Sequence, residues 1–231
     1  MVIGYPSFEE SKAIAKKYIE SGMQILELQI PFSHPTADGT ILTDANRKAV
    51  KGGTTLPMSI DFLKELKQEY PEQEIMAMTY INKLFTYGLK KFCDNLQEAQ
   101  IKYLIIPDMP FDSPLAEEIN SHEFVQIVPV LSANTSKKRM DIALSQRPDH
   151  IYLMADYKIT GAGFSINPKI QQVVEHIKAH SPHTKIGLGF GISEKSQVEQ
   201  VLKVVDYAII GSAFTKAIDA GTIDEKLASF A

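Results

Sequence analysis

Two carboxylates near the start of the chain have the residue types and spacing for acid–base chemistry. Glu27 lies inside the apolar run Ile25-Leu26-Glu27-Leu28-Gln29-Ile30, and Asp38 follows eleven residues later in a loop built on Pro31, Pro35 and Gly39. A charge within an apolar strand is costly unless it is paired or functional. Carboxylates in unlike settings can hold separated pKa values and so divide acid and base duties between them. Each also has a plainer reading. Glu27 fits a structural charge paired across a barrel interior, or one facing a helix in a polar pocket, and Asp38-Gly39 fits an ordinary turn.

A second set of groups follows later apolar runs. Tyr80 and Asn82 come after one, and Pro107-Asp108-Met109-Pro110 after the next, where Asp108 reads as a loop-ordering residue. The segment Ala155-Asp156-Tyr157-Lys158-Ile159-Thr160-Gly161-Ala162-Gly163 reads as a mobile lid. Gly189-Phe190-Gly191-Ile192-Ser193 and Gly211-Ser212-Ala213 close the series. Glycine lets backbone approach a ligand closely, and a helix start presents free N–H groups with partial positive charge. Gly161, Gly189, Gly191, Gly211 and Ser212 together would cradle a phosphate, although any one of these turns alone is only a turn.

These groups need elements to position them, and the chain supplies an alternation. Apolar, β-branched runs at 2–4, 25–30, 75–80, 102–106, 124–130, 150–154, 185–188 and 207–210 read as strands. Between them, 8–21, 56–69, 84–99, 113–121, 136–145, 168–180 and 194–204 read as helices, and the chain is helical again from Ala213. Ser7 is placed to cap the first helix, with Gly22 just past its end. Strands alternating with helices imply a parallel sheet. Eight such units in this length fit one α/β domain over residues 1–231, a closed (β/α)8 TIM barrel, with a truncated first strand and no leading helix. An open doubly wound sheet usually carries a glycine-rich first turn, and none follows Ile3.

Composition narrows the function class. The chain is 44% hydrophobic and 23% charged with net charge −4 and no basic run, which suits a globular protein and argues against a nucleic-acid footprint. Its one cysteine, Cys93, precludes an intrachain disulfide and reads as core filler, in keeping with a reducing, cytoplasmic setting. No apolar run reaches the ~20 residues that cross a bilayer. The first residues lack the features of a signal peptide. No metal is expected.

Taken together, the motifs resemble the tryptophan synthase α-subunit family along essentially the whole chain. The resemblance rests on Leu26-Glu27-Leu28, Ile30-Pro31-Phe32-Ser33, Ala37-Asp38-Gly39, Met78-Thr79-Tyr80-Ile81-Asn82 with Tyr87-Gly88, and Ile106-Pro107-Asp108-Met109-Pro110. It continues with Ile159-Thr160-Gly161, Gly189-Phe190-Gly191-Ile192-Ser193 and Ile210-Gly211-Ser212-Ala213. It implies a lyase of tryptophan biosynthesis that cleaves indole-3-glycerol phosphate to indole and glyceraldehyde 3-phosphate. In that reading Glu27 is the general acid and base, and Asp38 accepts the indole N–H. Thr160 bonds to Asp38 when the loops close, and Tyr152 matches a tyrosine near Glu27. Gly161, Gly191, Gly211 and Ser212 match the phosphate cup, while Met78, Ile105 and Phe190 line the indole pocket. The resemblance also implies a β subunit in an α–β–β–α heterotetramer. PLP belongs to that partner, and this chain needs no cofactor.

The chain departs from the family pattern at several points. Gln29 stands where the family has Gly. Strand alternation puts it on the same side as Glu27, where its amide would crowd the indole pocket or bond to Glu27 or substrate. His34 replaces the usual Asp of the following turn, read as a surface histidine or a changed β-subunit contact. Asp156 and Lys158 replace the usual Arg and Gly. An alternative function follows from Gln29, a catalytically weakened subunit that binds and activates the β subunit. The spacing of Glu27 and Asp38 argues against the phosphate-binding isomerase barrels of amino-acid biosynthesis.

Overall fold

The computed structural model describes residues 1–154, 166–189 and 191–230. Within them the chain forms two compact units, residues 1–127 with 214–229, and residues 128–213 with Phe230. Each contains one four-stranded, wholly parallel sheet in sequential strand order.

In the first unit, α1 (Phe8–Glu20), α2 (Thr40–Lys51), α3 (Leu56–Glu69), α4 (Ile81–Tyr87), α5 (Leu89–Glu98) and α6 (Pro114–Asn120) are interleaved with four strands. These are β1 (Ile25–Gln29), β2 (Glu74–Met78), β3 (Tyr103–Ile105) and β4 (Gln126–Ile127). Local chemistry explains the helix starts. Ser7, Thr55 and Ser113 each accept a backbone N–H in the first turn of the helix that follows, and proline opens α3 and α6. The amino-terminal segment runs beside β1 and bridges it at Val2 and Gln29.

The strand register sorts side chains onto two faces. Leu26, Leu28, Ile75, Ala77 and Leu104 share one face and are all buried. Glu27, Met76 and Tyr103 form a row across the other face, and Gln29, Met78 and Ile105 form the next row toward the strand ends. Met76, Met78 and Ile105 are also buried, as a parallel sheet covered on both sides requires.

The second unit carries β5 (Val130–Ser132), α7 (Lys137–Ser145), β6 (His150–Met154), α8 (Pro168–His180), β7 (Lys185–Gly189), α9 (Lys195–Val201) and β8 (Tyr207–Ile209). The unit boundary falls inside α10 (Ser212–Asp219), and α11 (Ile223–Ala228) belongs to the first unit.

Three readings of the sequence change. Residues 40–51, unassigned above, form α2, which buries Ala45, Asn46 and Ala49 and packs Leu42 against the same cluster. The helix expected over 84–99 is two, α4 and α5, separated at Gly88, whose φ of 94° is one glycine adopts readily. The strand expected over 124–130 is likewise two short strands, β4 and β5, one in each unit. Cys93 is buried in α5, and burial pushes its thiol up to about 11, as suits core filler.

Candidate active site

Glu27 and Gln29 reach the same face of β1 because two residues separate them. Among the described residues, no side chain hydrogen-bonds the Glu27 carboxylate and no basic side chain pairs with it, so a structural ion pair of that kind is not observed. Burial raises its pKa above the ordinary value. The amino-terminal ammonium of Met1 opposes that rise and the Asp38 carboxylate adds to it. The same ammonium donates to the Glu27 carbonyl oxygen at 2.6 Å.

Asp38 sits in the opposite kind of setting. Three donors converge on its Oδ2: Gln29 Nε2 at 2.6 Å, the Tyr80 hydroxyl at 2.9 Å and Asn46 Nδ2 at 3.3 Å. Among the described residues Oδ1 carries no hydrogen bond. Burial raises the Asp38 pKa, while the bonds from Gln29 and Tyr80 and the Met1 ammonium pull it back. Two carboxylates in one unit are thus set apart by their partners, one bare and one heavily bonded.

The framework around Asp38 comes from three elements. Tyr80 leads into α4. Its ring stacks on Phe32 with centroids 5.4 Å apart, and its hydroxyl accepts the Ala37 N–H at 3.3 Å. Burial and the neighbouring Asp38 raise the phenol's pKa, so it remains a donor. Asn46 on α2 is fully buried. Its Oδ1 accepts the Phe32 N–H at 3.0 Å, and its Nδ2 also reaches the Leu42 carbonyl at 2.9 Å. It therefore fastens the loop to α2 at two points. The sequence reading missed Asn46 because it missed α2; the available signal was an amide on the apolar face set by Leu42, Ala45 and Ala49. Asp108 orders its loop as expected, accepting the Ile81 N–H at 3.0 Å at the start of α4.

Of the contacts expected for Gln29, the bond to Glu27 is not formed: its Nε2 donates to Asp38 instead, and it is 3% exposed. Met78 and Ile105 lie beside it in register as an apolar row. His34 is exposed, with its ring edge toward Phe32 at 6.2 Å.

In the second unit the remaining expected residues that are described stand on or just beyond the strands. Tyr152 on β6 lies over Gly189 on β7. A Cβ built at Gly189 would meet the Tyr152 hydroxyl oxygen at 2.5 Å and its ring carbon at 2.9 Å, so only glycine fits without a shift. Gly191 has φ +77° and is exposed beyond β7. Gly211 and Ser212 follow β8, Ser212 being the first residue of α10. Thr160, Gly161 and Phe190 lie outside the described residues. Among the described residues no cluster of His, Cys, Asp and Glu could hold a metal.

A family model described as tryptophan synthase alpha chain matches residues 1–229. The tryptophan synthase alpha chain of Syntrophotalea carbinolica is 31% identical over 226 residues, covering 96% of this chain and 88% of its own. The solved α subunit of tryptophan synthase from Campylobacter jejuni superposes with a TM-score of 0.86 at 28% identity, covering all of this chain and 92% of its own. A chain of the tryptophan synthase complex from Pyrococcus furiosus gives a TM-score of 0.88 at 24% identity, over all of this chain and 95% of its own. With helices and parallel strands in this order and the family model matching nearly end to end, the chain belongs to the tryptophan synthase alpha chain family.

Proposed function

We propose that the chain is a lyase that cleaves indole-3-glycerol phosphate to indole and glyceraldehyde 3-phosphate, with Glu27 as general acid and base and Asp38 as the acceptor of the indole N–H. The observation that carries this reading is the contrast between the two carboxylates, Glu27 without a hydrogen-bond donor and Asp38 with three. A carboxyl group whose pKa is raised by burial holds a proton closer to neutral pH, as a general acid must. Glu27 gives its proton to indole C3, and positive charge develops on the ring nitrogen. Asp38, ionised and fixed, stabilises that charge through the N–H. The Glu27 carboxylate then removes the proton from the side-chain hydroxyl next to C3. The carbon–carbon bond breaks, the hydroxyl carbon becomes the aldehyde, and the bonding pair returns to the ring. Glu27 ends protonated, as it began.

Met78 and Ile105, beside Gln29 on the same face, offer apolar surface for the indole ring. Gly189, Gly191, Gly211 and Ser212 are assigned to the phosphate, supported by the bare backbone of Gly189, against which Tyr152 packs, and by the helix that Ser212 opens. Tyr152 is assigned to substrate positioning. The same reading takes residues 1–231 as one (β/α)8 barrel, supported by family membership and by parallel strands in sequential order. It also takes a tryptophan synthase β subunit as partner, which would carry PLP. The relative from Pyrococcus furiosus is a member of an a2b2 complex with mutual activation.

The test is indole release from indole-3-glycerol phosphate by the purified chain, alone and with a β subunit. Wild type should turn over, faster with the partner, and Glu27→Gln should lower kcat by about 10²–10⁴-fold. A wild-type chain that bound the β subunit and raised its activity without releasing indole would be an activating subunit instead.

A further inference from the structure

Gln29 is a polar side chain in an apolar row. Its register neighbours Met78 and Ile105 are buried, and it is itself 3% exposed. A buried amide is unfavourable unless hydrogen-bonded. The 2.6 Å bond from its Nε2 to Asp38 Oδ2 satisfies it and ties the end of a sheet strand to the loop that carries Asp38. The other two donors on that oxygen come from elsewhere, Tyr80 ahead of α4 and Asn46 on α2. Oδ2 is thereby occupied from three directions, while Oδ1 has no partner among the described residues.

We propose that Gln29 is a positioning residue for the lyase reaction: its amide clamps Asp38 Oδ2 to the end of β1 and leaves Oδ1 as the oxygen that meets the indole N–H. The inference rests on the lyase reading above. A side chain anchored on a strand moves less than one anchored on a loop, so the clamp fixes the acceptor before substrate arrives. Among the described residues, the ionisable groups facing Asp38 are Glu27 on β1, the Tyr80 phenol and the Met1 ammonium; Gln29 itself does not titrate.

Gln29→Ala removes the donor and the bulk. Gln29→Glu keeps the bulk, removes the donor and adds a like charge. Both variants and wild type, each checked for native circular dichroism, are assayed for kcat/KM with indole-3-glycerol phosphate across pH. Separately, the Asp38 carboxyl carbon is titrated by NMR without substrate. Gln29→Ala should lose about tenfold or more in kcat/KM, the scale of one bond to a charged group, and its Asp38 should titrate at higher pH than in wild type. Gln29→Glu should lose more and shift further in the same direction. The clamp is overturned if Gln29→Glu matches wild type, if Gln29→Ala changes neither readout, or if rate falls while the Asp38 titration stays put, since packing alone would then explain the loss. If wild type releases no indole, the lyase reading fails, and the titration still decides the clamp: an upward shift in Gln29→Ala supports it and an unchanged curve overturns it.

Discussion

At the end of β1 the polar surface is made of side chains, with Gln29, Tyr80 and Asn46 all bonded to one oxygen of Asp38 and Glu27 standing bare nearby in the chain. At the end of β7 the requirement is steric instead: Gly189 has no Cβ, and the Tyr152 hydroxyl and ring occupy the place one would take. The first arrangement keeps half-buried carboxylates whose charged forms desolvation disfavours, so it holds chemistry at some expense of stability. The second carries no such tension, because what fills the Gly189 position is a tyrosine packed against backbone, with no charge to desolvate. Loss of function should therefore part from loss of stability in the first unit and coincide with it in the second.

The largest expected effect tests the first half of that contrast. Asp38→Asn should cut kcat/KM by about 10²–10³-fold without lowering the melting temperature at pH 7. The folded-state pKa of Asp38 is raised, so its contribution to stability is fully present below the unfolded-state value and is lost as pH rises through the folded-state value. The variant's advantage should accordingly be greatest at neutral pH and shrink on acidification, as differential scanning calorimetry at several pH values would record. A variant less stable than wild type at pH 7 would break the comparison.

Asn46→Ala comes next and should sharpen it, because Asn46 belongs to the framework rather than to the charge. Removing it strands the Phe32 N–H and should cost about 3 kcal/mol in urea unfolding, with a smaller fall in turnover than Asp38→Asn. Gly189→Ala is the smallest of the three. The added methyl must displace Tyr152, for a cost of about 1–3 kcal/mol, and KM for the phosphorylated substrate should rise in step. A stable Gly189→Ala chain with a raised KM would separate the two roles at that position.

The same contrast governs what could be read from the sequence. Glu27 and Gln29 were legible as same-face residues because a strand's period of two needs no further information. Most helix starts were legible from Ser, Thr and Pro at their caps. The helix α2 was legible in principle, since Ile41, Leu42, Ala45, Ala49 and Val50 recur at helical spacing, but it directly follows a loop rich in proline and glycine and has no side-chain cap to mark its start. The partner of Gln29 was not legible. It depends on how a loop of prolines folds back over nine residues, which strand alternation does not specify. The break at Gly88 was visible only as a glycine inside a helical pattern, and both tolerance and interruption are ordinary outcomes there.

The buried Cys93 has a practical consequence. With its thiol pushed up to about 11, only about one molecule in 10⁴ carries the thiolate at pH 7. As it is the chain's one cysteine, the native protein is close to silent toward maleimides and iodoacetamides. A cysteine introduced at exposed His34 could then take a fluorophore or spin label selectively, turning the Asp38 loop into a reporter of ligand and partner binding.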